Sequence, residues 1–117
     1  MIPNISIIII NWNGWKDTVE CLESLYQINY PNYDVVVVDN ASSDNSIGKI
    51  REYFTKIIDG KYGFFEYDGE NILDNSKTGL NKELVYKKKL ILIKNDKNYG
   101  FAEGNNIGIE YAFKNLN

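Results

Sequence analysis

The chain has 117 residues, with 13 Lys plus Arg, 16 Asp plus Glu and no His, for a formal net charge of −3. That length holds one domain of ordinary size, and a hydrophobic content of 44% suits a globular fold rather than a disordered chain. The mild acidity without a basic block excludes a nucleic-acid reader driven by phosphate neutralisation, so no nucleic-acid partner is expected. Without His, Ser-His-Asp and Cys-His catalysis and His-ligated metal sites are excluded. The single Cys, Cys21, leaves no internal disulfide or Cys-rich zinc site and fits a reducing compartment. The longest apolar run, Ile7 to Ile10 with Ile5 just before, falls far short of the roughly 18 residues that span a bilayer. The N-terminus also lacks the basic region and cleavage site of a signal peptide.

Ile5 to Ile10 is a short β-branched run, apolar on both faces, and reads as a buried strand of a parallel sheet. A helix is expected from Asp17 to Ile28, where Val19, Leu22, Leu25, Tyr26 and Ile28 recur near helical spacing. Pro31 stops it, and Cys21 within it is expected in the core. Val35 to Val38 is the second strand. Asn45 to Ile58 is the second helix, with Ile47, Ile50, Phe54, Ile57 and Ile58 as its apolar set and Ser43 or Asp44 as its cap. Asp59 to Lys89 reads as an insert rich in Gly, Asp, Lys and Tyr. Its patch Phe64-Phe65-Glu66-Tyr67 is expected as an edge strand or hairpin. Leu90 to Ile93 is the third strand, and Glu103 to Leu116 a third helix burying Ile107, Tyr111 and Leu116. The order β-α-β-α-insert-β-α predicts an α/β layered fold in a single domain over 1–117, with the insert at about 59–89.

In an open parallel sheet, ligands bind beyond the carboxyl ends of the strands. Small polar residues follow each strand here: Asn11-Trp12-Asn13-Gly14-Trp15, then Asp39-Asn40-Ala41-Ser42-Ser43-Asp44, then Asn95 to Asn106. Trp12 offers a stacking face, Asp39 a carboxylate that accepts base N–H or ribose hydroxyls, and Gly100 and Gly104 a close backbone approach. Each has a structural alternative. Trp12 and Trp15 can pack the first helix on the sheet, Asp39 can close a turn, and Asp44 can cap a helix. Gly100, Gly104 and Gly108 can serve helix packing alone. Lys87-Lys88-Lys89 reads as a solvated approach to a strand, with a phosphate clamp as the alternative. Neither Gly-x-Gly-x-x-Gly after a strand nor a P-loop occurs, and Asn11 stands where a receiver domain carries acids.

Three segments together resemble the start of a family 2 glycosyltransferase. They are Ser6-Ile7-Ile8-Ile9-Ile10-Asn11-Trp12-Asn13-Gly14, Tyr33-Asp34-Val35-Val36-Val37-Val38-Asp39-Asn40-Ala41-Ser42-Ser43-Asp44, and Asn98-Tyr99-Gly100-Phe101-Ala102-Glu103-Gly104-Asn105-Asn106-Ile107-Gly108. The likeness is greatest to the rhamnosyltransferase-like branch, and covers nearly all of the chain except the insert. It implies a three-layer GT-A fold (the nucleotide-diphospho-sugar transferase type) with a mostly parallel sheet, here stopping after the third helix. It also implies transfer of a sugar from a nucleotide-sugar donor (of UDP, TDP or GDP type) to a hydroxyl of a glycan or lipid-linked acceptor, with inversion, in cell-surface glycan synthesis. The donor-binding residues it implies are Asn11, Trp12, Asn13, Asp39, Asn40, Asn98, Gly100, Phe101, Gly104 and Asn105.

The resemblance further implies a divalent metal, Mg or Mn, on the diphosphate and an acid as acceptor base. The family's Asp-x-Asp occurs nowhere in the chain. Its nearest imitation, Asp68-Gly69-Glu70, reads as a turn, and Glu103 stands where the family usually has Gly. No metal ligand or catalytic residue is therefore expected within these residues. The 117-residue chain is expected to be inactive alone, its catalytic half supplied by a C-terminal part or a partner chain. The expected location is the cytoplasm, at the inner face of the membrane for many members. Two alternatives stand beside this reading. One is a stand-alone nucleotide- or partner-binding module without chemistry. The other is a poorly folding remnant whose third strand leaves an unpaired edge.

Overall fold

The computed structural model describes residues 3–57, 62–69 and 88–116. Four strands form one sheet: β1 (Ile5–Asn11), β2 (Tyr33–Asp39), β3 (Tyr62–Asp68) and β4 (Lys88–Lys94). Three helices complete the described residues: α1 (Trp15–Leu25), α2 (Ser46–Ile57) and α3 (Gly100–Asn115). The strand order is β1-β2-β4-β3, and every pairing is parallel. This is the mixed α/β, GT-A-like architecture that the sequence predicts.

Alternation along the strands separates two cores. Val35, Val37, Leu90 and Leu92 face one way and pack with Leu22 of α1 and with Ile50 and Phe54 of α2. Val36, Val38, Ile91 and Ile93 face the other way, against Tyr111, Ala112 and Leu116 of the α3 region. The sheet is thus the middle of three layers. β2 is buried along its whole length, which is why its sequence is apolar on both faces.

The patch 64–67 becomes the parallel edge strand β3, so the expected insert contains a strand of the main sheet. Phe64 joins the first core, and Phe65 and Tyr67 the second. Burying aromatics on both faces is what draws this segment into the sheet. The expected exposed edge at the third apolar run is therefore corrected. That run is β4, an interior strand between β2 and β3. Residues 58–61 and 70–87, which take in the expected helix end at Ile58 and the remaining insert with Glu70 and Lys87, lie outside the described residues.

α1 starts two residues earlier than expected and ends at Leu25, where turn bonds Gln27 N–H to Ser24 O and Ile28 N–H to Leu25 O replace the helical ladder. Ile28 is left exposed. Cys21 is exposed as well, a correction of its expected burial. The inward face of α1 is set by Thr18 and Leu22, and Cys21 lies off that line. Asn45 stands at the N-cap of α2, its carbonyl accepting the Lys49 N–H at 3.0 Å, and Asp44, one residue before it, accepts the Ser46 N–H at Oδ1 at 2.9 Å.

Lys88 and Lys89 lie at the start of β4, at the opposite end of the sheet from the loops that follow the strands. Lys89 is not a solvated residue, as the run of lysines suggests. Its N–H donates to the buried Asp34 Oδ1 at 2.8 Å, and its Nζ stands 4.0 Å from the same oxygen. Lys88 lies over the ring of Tyr33.

Arg51 of α2 clasps Glu66 of β3 through two hydrogen bonds of 2.9 Å. The Glu66 carboxylate holds the guanidinium pKa above its ordinary value. The pair is partly exposed, so Arg51→Lys is expected to cost only about 0.5 kcal/mol, falling further in high salt. Urea unfolding at low and high salt measures it. A loss that salt does not change would mean that packing, and not charge, fastens β3.

Candidate functional site

All four strands point the same way, so the segments after β1, β2 and β4 meet at one end of the sheet. Asn11, the last residue of β1, is in register with Asp39, the last of β2, and Asp39 with Lys94 of β4. Apolar strands that end on polar residues place those side chains where water gives way to core.

Asp39 is 1% exposed. Its Oδ1 accepts from Asn11 Nδ2 and from Ser42 Oγ, each at 2.7 Å, and its Oδ2 from the Ser42 N–H at 3.0 Å. A buried carboxylate needs such donors. Asn11 is itself held by Thr18, whose hydroxyl donates to Asn11 Oδ1 at 2.7 Å from the inward face of α1. Ser42 Oγ also accepts the Asn13 N–H at 2.9 Å. Asn13 sits at φ +51°, a conformation that Asn adopts more readily than most residues. There its Oδ1 accepts from the Ser43 N–H at 2.8 Å and the Asp44 N–H at 3.2 Å. Ala41 at φ +58° lacks that excuse. It is held between Asn40 and Ser42, both of which are anchored by hydrogen bonds.

A second frame joins β2 to α3. Asn40, 2% exposed, donates its Nδ2 to the Gly100 carbonyl at 3.0 Å and accepts at Oδ1 from Asn95 Nδ2 at 2.9 Å. Gly100 takes φ +83°, which glycine alone adopts without cost. Its N–H donates to Asn98 Oδ1 at 2.8 Å. Gly104 faces Asn40 closely: a Cβ there would stand 2.9 Å from Asn40 Nδ2. α3 begins at Gly100 rather than Glu103, so Gly100, Phe101 and Glu103 lie in its first turn and not in a loop. Glu103 is exposed there.

The expected residues thus fall into two groups. Asn11, Asp39, Asn40 and Gly104 are an inner, buried frame. Trp12, Asn13, Asn98, Gly100 and Phe101 are exposed around it, and Asn105 is half-buried. Trp12 is 55% and Phe101 75% exposed, which is costly for large apolar side chains in water. Trp15, by contrast, packs on the first core, the structural alternative weighed for it. Tyr99 donates its hydroxyl to Asp96 Oδ1 at 2.6 Å, and that hydrogen bond holds the Asp96 carboxyl below its ordinary range.

Sequence reasoning leaves Thr18, Ser42 and Asn95 unassigned, although all three bind the frame together. The available signal is positional for two of them: Asn95 directly follows an apolar strand, one step beyond the places that Asn11 and Asp39 hold on theirs, and Ser42 follows Asp39 by three residues, within reach of a carboxylate that accepts a backbone N–H as an N-cap does. Thr18 carries no such signal.

A divalent cation on a diphosphate takes oxygen ligands, chiefly carboxylates. Among the described residues no group of three or more Asp, Glu or Cys side chains converges to hold one, and the Asp39 carboxylate is engaged on both oxygens. These residues do not fit the metal, and no step is derived through it.

The family described as glycosyl transferase family 2 matches residues 6–115. The chain is a member of that family. The match opens in β1 and closes on the last residue of α3, so a glycosyl transferase family 2 domain accounts for every described element. No curated protein and no solved structure matches the chain. Among the described residues, no helix is long and apolar enough to cross a membrane.

Proposed function

We propose that the carboxyl end of this sheet binds the nucleotide of a nucleotide-sugar donor, for transfer of the sugar to an acceptor hydroxyl. The observation that carries this reading is the pairing of a rigid, internally bonded frame with an exposed aromatic beside it. Asn11, Asp39 and Asn40 lock the loops after β1 and β2 to the start of α3, and Trp12 projects from the first of those loops. Family membership supports the donor class.

In this reading Trp12 stacks on the base, and Asn13, Asn98 and Asn105 offer amides to base, ribose or phosphate. The first turn of α3, from Gly100 through Phe101, closes over the nucleotide. Asn11, Asp39, Asn40 and Gly104 hold those groups in place from beneath. We assign donor binding to this chain and neither a metal ligand nor a catalytic base. The resemblance to the rhamnosyltransferase-like branch suggests transfer of the hexosyl type to a glycan or lipid-linked acceptor at the cytoplasmic face of a membrane. It also suggests a divalent metal held by groups beyond the ones described.

Titration calorimetry with UDP, GDP and TDP tests the proposal. One of them is expected to bind. Trp12→Ala is then expected to weaken it by about 5- to 150-fold, the worth of one base–aromatic stack of about 1–3 kcal/mol. Its unfolding free energy should stay within about 0.5 kcal/mol of the parent, because the side chain is largely exposed. If no nucleotide binds, or if Trp12→Ala binds as tightly as the parent, the reading fails. Sugar transfer by the 117-residue chain alone would overturn the assignment of catalysis to groups outside it.

A further inference from the structure

Asn95 is the first residue after β4 and is 7% exposed. Its N–H donates to the Asp39 carbonyl at 2.9 Å, tying it to the end of β2. Its Nδ2 donates to Asn40 Oδ1, and Asn40 Nδ2 donates in turn to the Gly100 carbonyl. Two glycines enclose this relay. A Cβ on Gly69 would stand 2.3 Å from Asn95 Oδ1, and one on Gly104 2.9 Å from Asn40 Nδ2. Each of these close approaches depends on the missing Cβ. Asn95 Oδ1 is buried and finds no partner among the described residues, a cost that the structure bears while the other end of the amide makes the Asn40 bond.

We propose that Asn95 is a positioning residue for nucleotide binding. Through Asn40 it holds the Gly100 carbonyl, and so fixes the turn at which α3 starts. That turn carries Asn98 and Phe101, two exposed residues of the nucleotide site, and Gly100 in a left-handed conformation. Asn95 acts by orienting Asn40 and touches no ligand itself. The inference rests on the nucleotide reading above and is tested so that the two can fail separately.

Asn95→Asp keeps the side-chain shape and replaces the N–H donor with a titrating oxygen. At about pH 7.5 the ionised carboxylate has no hydrogen to give Asn40. At about pH 5 the acid, its pKa raised by burial, is protonated and donates again. Among the described residues, the ionisable side chains nearest this position in register or along the chain are Asp39 on β2, Lys94 on β4, Asp68 on β3, and Asp96 and Lys97. The Asp96 carboxyl, held low by Tyr99, stays ionised across that range.

The nucleotide that binds the parent is expected to bind Asn95→Asp about tenfold more weakly at pH 7.5 and within about twofold of the parent at pH 5. Asn95→Ala, with nothing to protonate, is expected to lose about tenfold at both. An Asn95→Asp variant that binds like the parent at the higher pH, or that loses equally at both, overturns the proposal. Hydrogen-exchange protection of the Gly104 amide, measured without ligand, follows the same relay, since that amide bonds to the Gly100 carbonyl in an α-helix. It should fall and recover with pH in Asn95→Asp alone. Should the parent bind no nucleotide, the site reading fails while this exchange pattern still decides the relay.

Discussion

Asp39→Ala is expected to destabilise the protein by about 3 kcal/mol or more and to abolish nucleotide binding. The carboxylate takes three hydrogen bonds within a buried frame. Its removal leaves Asn11 Nδ2 with only its longer bond to Ser42 Oγ at 3.3 Å and takes the acceptor from the part-buried Ser42 hydroxyl and N–H, and each donor left unpaired away from water costs about 1–3 kcal/mol. For a domain whose total stability is about 5–15 kcal/mol, that is a large fraction. Urea unfolding followed by circular dichroism measures it, and a loss below about 1 kcal/mol would mean that the frame is not held by this carboxylate. Asp39→Asn separates scaffolding from contact. If the variant keeps its fold and loses the nucleotide, Asp39 reaches the ligand directly. If both fall together, Asp39 acts by shaping the loops.

Gly108→Val is expected to cost about 3 kcal/mol and to lower the melting temperature by about 10 °C or more. Gly108 lies where α3 crosses the sheet: a Cβ there would stand 2.7 Å from Ile8 Cγ2 and 3.1 Å from Val38 Cγ2. Both neighbours are branched side chains within packed strands, and relief means moving the helix off β1 and β2. Gly48 in α2 is the control. It has nothing within 4 Å of the Cβ position, so Gly48→Ala is expected to gain about 0.5–1 kcal/mol from helix propensity alone. Thermal melts of the two variants should therefore move in opposite directions. Equal and small shifts would show that α3 is not seated on the sheet as closely as its glycines allow.

The four-residue spacing of Gly100, Gly104 and Gly108 illustrates how one pattern holds two meanings. Gly104 and Gly108 let α3 approach Asn40, Ile10, Ile8 and Val38. Gly100 has open space at its Cβ position and is required for its positive φ instead. No spacing rule separates close packing from backbone conformation, because both are served by the same missing Cβ.

The sequence alone determined the layered α/β class, since β-branched runs that are apolar on both faces can be buried only between two helical layers. It also determined which loops share an end, because parallel strands separated by helices must finish on the same side, and it marked Asn11, Trp12, Asp39, Asn40 and Gly100 as residues at that end. Tertiary structure decided the rest. Strand order put β4 inside, paired in parallel with the edge strand that the aromatic patch forms, a choice governed by side-chain burial between segments far apart in the chain. It half-buried Lys89 beside Asp34 and left Cys21 in solvent. It also divided the expected donor-site residues into an inner frame and an exposed rim. A polar residue at a strand end can face core or solvent with the same local sequence, and only the partners brought to it across the sheet, such as Thr18, Ser42 and Asn95, settle which.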